Sequence, residues 1–152
     1  MLSEILIRKA VDNDAEAVSQ VILAALHESN AKDYTHDIIE RVEKNFTPTA
    51  LLVLFRKRRV FVAVLNDKIV GTASLDGRTV RSVFVMPDMQ GFGIGKQLIE
   101  EIVASARSEG ISILVVPSSV TAESFYSRLG FKAVQDSYYG DERTIIMERA
   151  IT

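Results

Sequence analysis

Residues 59 to 86 read RVFVAVLNDKIVGTASLDGRTVRSVFVM. Three runs rich in β-branched residues are separated only by Asn-Asp-Lys and Asp-Gly-Arg. Such short polar connections are hairpin turns, and they leave no room for a crossover. The three runs are therefore expected to be an antiparallel meander, and the rest of the chain must be arranged around it.

The flanking segments carry helical and strand patterns in turn. EILIRKA (4 to 10) alternates and reads as a first strand. Val18, Val21, Ile22, Ala25 and Leu26 recur at spacings of three and four and predict a helix with one buried stripe, capped by Asp12 or Asn13. Ile38, Ile39 and Val42 repeat the pattern behind a Thr35 or Asp37 cap. Thr47 followed by Pro48 is the opening of a third helix. Beyond the meander, Ile94, Leu98, Ile102, Val103 and Ala106 share one helical face, which Gly110 closes. SILVVP is a short continuous apolar run, as a strand buried on both faces would be. TAESFYSRLG reads as a short helix between a Thr121 cap and Gly130. The last segment reads as two strands joined by a Gly-Asp turn. The prolines at 48, 87 and 117 fall where one element gives way to another. The order is β-α-α-α-β-β-β-α-β-α-β-β, an α/β class with a mixed sheet and helices on its faces. With 152 residues and no linker or repeat, residues 1–152 are expected to form one domain.

Composition removes several functions. There is no cysteine, so disulfides, thiolate metal sites and thiol nucleophiles are excluded; this fits a reducing cytoplasm. No metal site is expected, since His27 and His36 lie nine apart in a segment read largely as loop. The net charge of −2 offers no basic face for nucleic acid. The one basic cluster, RKRR at 56 to 59, reads as a solvated helix end. No apolar stretch approaches the roughly 20 residues needed to span a bilayer, and the N-terminus lacks the basic-then-apolar order of a signal peptide.

One loop stands out, QGFGIGK at 90 to 96. Glycines at every second position before a helix let the backbone approach a ligand, and successive N–H groups there form an anion cradle. It is not a Walker loop, because Gln90 and Gln97 stand where that pattern needs glycine and Ser/Thr. It is not the dinucleotide fingerprint, which would need glycine where Lys96 stands. A pyrophosphate suits what remains. Lys96 can contact a phosphate or point to solvent.

Three pieces together resemble the GCN5-related N-acetyltransferase (GNAT) superfamily: SVFVMPDMQGFGIGKQLI, ILVVPSSVTAESFYSRLGFKAV and VFVAVLNDKIVGTASL. The resemblance implies the GNAT fold, with the meander followed by a splayed parallel strand pair. It implies acetyl-CoA as co-substrate, its pyrophosphate held by Gln90, Gly91, Phe92, Gly93, Ile94, Gly95 and Lys96. It implies that the pantetheine arm pairs with the backbone of Val83, Phe84 and Val85, where an N–H polarises the thioester carbonyl. Tyr126 matches the tyrosine that faces the coenzyme sulfur. Ser119 stands where relatives often carry asparagine; its hydroxyl can still hydrogen-bond the arm or a water, with shorter reach.

The function implied is direct acetyl transfer to the primary amine of a small molecule or peptide, with a region around 27 to 48 and the last hairpin shaping the acceptor site. An amine of pKa about 10.4 must lose a proton to attack. Asp76, His27, Glu28 and Glu142 are the candidate groups, each more readily explained as a surface residue. A cationic amine would suit the acids of HESNAKDYTHD. The alternative is a non-catalytic acetyl-CoA-binding domain, a sensor or partner subunit. TIIMERAI reads as an edge strand that needs cover, and members of the family are often dimers, which raises a homodimer.

Overall fold

The turns between the meander strands have the geometry their residues prescribe. In the computed structural model, which describes residues 4–28, 35–140 and 142–152, Asn66 and Asp67 both hold positive φ (51° and 64°) and Gly77 does the same (61°). Positive φ at a two-residue hairpin loop matches the right-handed twist of the strands it joins. The result is β2 (Arg59–Leu65), β3 (Lys68–Asp76) and β4 (Thr79–Val85), paired antiparallel in sequence order.

β1 (Leu6–Lys9) adds to β2, and β5 (Ile113–Ser118), β7 (Glu142–Ala150) and β6 (Lys132–Tyr139) follow β4, so the sheet runs β1-β2-β3-β4-β5-β7-β6. The helices are α1 (Ala15–Glu28), α2 (His36–Glu43), α3 (Pro48–Lys57), α4 (Ile94–Ser108) and α5 (Glu123–Arg128). This is the expected order. Strand alternation explains how the sheet buries both faces. Phe61, Ala63 and Leu65 of β2 join one core with α4, while Val62 joins a second core with α1 and α3. The predicted stripe of α1 is fully buried, as is that of α4. Thr35 Oγ1 accepts the Ile38 N–H (3.3 Å) and Thr47 Oγ1 accepts the Ala50 N–H (3.2 Å), with Pro48 opening α3.

Four local expectations are corrected. Neither Asp12 nor Asn13 caps α1; residues 12 to 14 form a 3₁₀ turn, and Asp14 accepts the Val11 N–H at 2.8 Å. Thr121 does not cap α5; Ser119 Oγ accepts the Ala122 N–H (3.2 Å) just ahead of it. β5 is not buried on both faces, because Leu114 and Val116 are buried while Ile113, Val115 and Pro117 are not. TIIMERAI is not an edge strand: β7 lies between β5 and β6, and the edge is β6, exposed along its whole length. Asp141 of the last turn lies outside the described residues.

The parallel pair β4 and β5 shares a single ladder rung. Thr79 lies opposite Val115, whose N–H donates to the Arg78 carbonyl at 2.9 Å, and beyond that rung the strands part. Two residues account for this. The next residue of β5 with the same edge toward β4 is Pro117, which has no N–H to give. On β4, the register against β3 slips between Thr72 and Ser74, where β4 fits one residue more, and Ser82 there has φ 56°. This is a β-bulge, which bends and twists the strand that carries it. Pro117 is thus inside a strand rather than at its boundary.

The start of α1 rests on a charged pair. Arg8 donates to both Asp14 carboxylate oxygens (2.8 and 3.1 Å), and the Asp14 side chain is nearly buried. The Arg8 hydrogen bond lowers the Asp14 pKa against the cost of its burial, helped by the Val11 N–H. A carboxylate whose pKa falls on folding stabilises the fold above its unfolded value of about 3.9 and loses that contribution as pH drops through the lower folded value. Asp14→Asn is expected to cost about 2 kcal/mol at neutral pH, and urea denaturation should show the gap to wild type closing below pH ~4. A gap constant with pH would show that the charge contributes nothing.

Candidate active site

Between the parting strands lies a cavity of about 470 Å³. Its floor is the loop at 90 to 96. Gly91 and Gly93 hold φ of 87° and 79°, where an L side chain is strained, and a Cβ at either would meet nothing. Gly93 is the N-cap of α4, with its carbonyl accepting the Gln97 N–H (3.0 Å). The N–H groups of the first α4 turn therefore have no partner within the helix, and the helix dipole adds positive potential there. Gly95 has another reason. A Cβ there would lie 3.0 Å from Cζ of Phe125, so this glycine lets α5 close onto α4.

Of the residues singled out in the sequence, Val83, Val85, Gln90, Gly91, Gly93, Ile94, Gly95, Lys96, Ser119 and Tyr126 line this cavity. Two do not. Phe92 is half exposed and is not among its lining residues, and Phe84 lines a second cavity. The Ile94 side chain is itself core (1% exposed), so only its backbone is available to a ligand. Lys96 lies 4.0 Å from Glu100, one turn along α4. Met89, Phe125 and Arg128 also line the cavity, and sequence reasoning missed them; Arg128 ends α5 and carries no signal of its own.

The second cavity, about 350 Å³, is lined by Phe46, Arg58, Arg81, Ser82, Phe84, Pro117, Ser118 and others. Val83, Ser119, Ala122 and Tyr126 line both cavities, so the two meet at these four residues. The Tyr126 ring is buried and wedged edge-on between Phe125 (5.0 Å between centroids) and Phe131 (5.6 Å). Burial raises its phenol pKa well above the ordinary value, so the hydroxyl keeps its proton across the neutral range. Ser119 already receives the Ala122 N–H, and its carbonyl accepts from Ser118 Oγ (2.7 Å), which fixes the hydroxyl at this junction.

None of the candidate bases lines either cavity. Asp76 lies 3.4 Å from Arg81 and 3.9 Å from Arg58, and His27 pairs with Glu43. Residues 29 to 34 of the acceptor segment lie outside those described. In the basic cluster at 56 to 59, Arg56 and Lys57 are the solvated end of α3 that was expected, whereas Arg58 and Arg59 are half-buried and engaged elsewhere. Arg56 donates to the Leu52 carbonyl (2.9 Å), Arg59 engages Ser105 and Glu109, and Arg58 faces the second cavity.

The sequence and the fold have counterparts among known proteins. Residues 30–147 match the acetyltransferase (GNAT) domain family, and the chain belongs to it. Over 110 residues it is 30% identical to the peptidyl-lysine N-acetyltransferase YjaB of Salmonella typhimurium, across 72% of this chain and 74% of that one. The fold superposes on a GCN5-related N-acetyltransferase from Rhodopseudomonas palustris with a TM-score of 0.89, at 23% identity and covering 99% of this chain and 98% of that one. It also superposes on the PaiA N-acetyltransferase of Thermoplasma acidophilum, solved in complex with coenzyme A, with a TM-score of 0.86, at 20% identity and covering 97% and 99%.

The two uses of glycine separate by mutation. Gly93→Ala should cost about 1–2 kcal/mol through its φ alone, and Gly95→Ala about 1–3 kcal/mol through the clash with Phe125. Phe125→Leu should recover much of the Gly95→Ala loss and none of the Gly93→Ala loss in a urea double-mutant cycle. Equal rescue of both would mean that Gly95 is not there to admit the ring.

Proposed function

We propose that this protein is an acetyl-CoA-dependent N-acetyltransferase that passes the acetyl group directly to a primary amine of a small molecule or peptide. The observation that carries the reading is the junction itself: one cavity ends in an anion cradle, the other opens to the opposite side, and Tyr126 lies between them. The cradle suits a pyrophosphate, because its glycines leave the backbone bare and the first turn of α4 presents free N–H groups. The β4 edge past Thr79 has no strand partner, which suits an extended arm with amide donors and acceptors. Val83 and Val85 are at the right place on that edge.

Acetyl-CoA supplies an activated acyl group as a thioester. The amine nitrogen forms a bond to the carbonyl carbon, the C–S bond breaks, and the proton lost by the amine balances the one gained by the thiolate. A backbone N–H of residues 83 to 85 stabilises the carbonyl oxygen as it gains charge. Tyr126, kept protonated by burial, donates a hydrogen bond to the departing sulfur. A chain without cysteine holds no thiol to carry the acetyl group, in accord with a single transfer within a ternary complex.

Calorimetry with acetyl-CoA, coenzyme A and ATP tests the cradle: the first two should bind and ATP should not. ATP binding without coenzyme A binding would overturn the assignment. Tyr126→Phe should lower kcat by about 10²-fold or more in a thiol-release assay and leave acetyl-CoA affinity within about twofold. Unchanged turnover would remove Tyr126 from the chemistry.

A further inference from the structure

The second cavity is the acceptor's side if the reading above holds, and its walls carry charge of one sign. Arg58 and Arg81 both line it, and no acid or histidine does among the described residues. The two guanidinium groups share Asp76, at 3.9 and 3.4 Å, which leaves one positive charge over among the three. Asp76 is about half exposed and makes a loose partner, while the Arg58 side chain is only 19% exposed. Burial lowers the Arg58 pKa, Asp76 raises it, and the like charge of Arg81 lowers it again.

A shielded guanidinium with so distant a counter-charge is costly to keep. It is nevertheless held in place. Its backbone N–H closes α3 on the Leu54 carbonyl (2.9 Å), and its Nη1 donates to Ser82 Oγ (3.2 Å) on the β4 bulge. Arg81 is the bulge's other neighbour, and its carbonyl accepts from Ser74 Oγ at 2.8 Å. The same bulge that parts the strands thus brings two arginines to the lining of one cavity. A planar fork matches the paired oxygens of a carboxylate or phosphate.

We propose that the acceptor carries an oxyanion, carboxylate or phosphate, near its amine, and that Arg58 and Arg81 bind that oxyanion. The oxyanion completes the charge balance that Asp76 leaves open. The amine then lies further in, toward Val83 and Tyr126. This adds an oxyanion to the cationic amine expected from the acids at 27 to 37.

The test uses the full chain saturated with coenzyme A, so that failure of coenzyme binding, seen first by calorimetry, would sink the transferase reading rather than this one. Inorganic phosphate and acetate are then titrated separately while the arginine Nε–H signals are followed by NMR. Saturable shifts at Arg58 and Arg81 are expected, with affinity roughly tenfold weaker in Arg81→Gln. Arg81 is exposed on the surface, so this variant should keep the fold even if Arg58→Gln does not. The more responsive anion identifies which oxyanion the site takes. Turnover with ethanolamine, β-alanine and O-phosphoethanolamine then compares neutral, carboxylate and phosphate amines. The matching anionic amine should have kcat/KM about tenfold above ethanolamine, lost in Arg81→Gln through KM rather than kcat. The proposal is overturned if neither anion shifts the arginine signals, or if ethanolamine is used as well as both anionic amines.

Discussion

The site depends on the single rung between β4 and β5. Neighbouring parallel strands ordinarily stay hydrogen-bonded along their length, since an unmet backbone group in the interior is costly. Here the ladder stops after Thr79 and Val115 for reasons written into both strands. β5 offers a proline at the next donor position, and β4 spends its extra residue on a bulge at Ser82. Neither device alone would open a wedge; a proline costs one hydrogen bond, and a bulge normally lets pairing resume beyond it. Together they leave β4 with a bare edge from Val83 onward.

A wedge through a sheet has two mouths, and that geometry decides what reaction it can host. The cavities meet only at Val83, Ser119, Ala122 and Tyr126. Under the proposed function, one reactant in each cavity would meet the other there, which suits a direct transfer without an enzyme-bound acyl intermediate. The two mouths differ in how they would hold charge. The first uses backbone N–H groups and a helix dipole, which favour a compact anion close to the main chain. The second uses side-chain forks, whose reach is longer and whose geometry is planar.

What was legible in the sequence is what local rules govern. The two hairpin turns, the Thr35 and Thr47 caps, Pro48 and the buried stripes of α1 and α4 follow from spacing and residue type within a few positions. The glycine loop was also legible, though its glycines serve two ends and only those at positive φ are explained by the loop itself. What was not legible depends on partners distant in the chain. Asp14, rather than Asp12 or Asn13, takes the Val11 N–H, and it is held there by Arg8 from the preceding strand. Arg58 reads as a helix end until the bulge of β4, 24 residues on, supplies Ser82 as its acceptor. β7 reads as an edge because no local pattern says that β6 will pair outside it. Pro117 reads as a boundary because its effect, a missing donor toward β4, appears only once strand order is known.

The loop and the tyrosine, 30 or more residues apart, are coupled by packing. Gly95 lacks the Cβ that would strike Phe125, so the ring sits against the first turn of α4. Phe125 meets Tyr126 edge-on, and Tyr126 meets Phe131 the same way, which leaves the phenol little freedom to turn. The position of the hydroxyl is thus set from the cradle outward: a residue chosen for its lack of a side chain fixes where a side chain two contacts away can act. Because interiors are close-packed, the placement of the loop and that of the buried phenol at the junction of the two cavities are linked through Phe125. The alternate-glycine spacing therefore serves two ends. Its first two glycines shape the loop through positive φ, and its third ties that loop to the phenol at the junction of the two cavities.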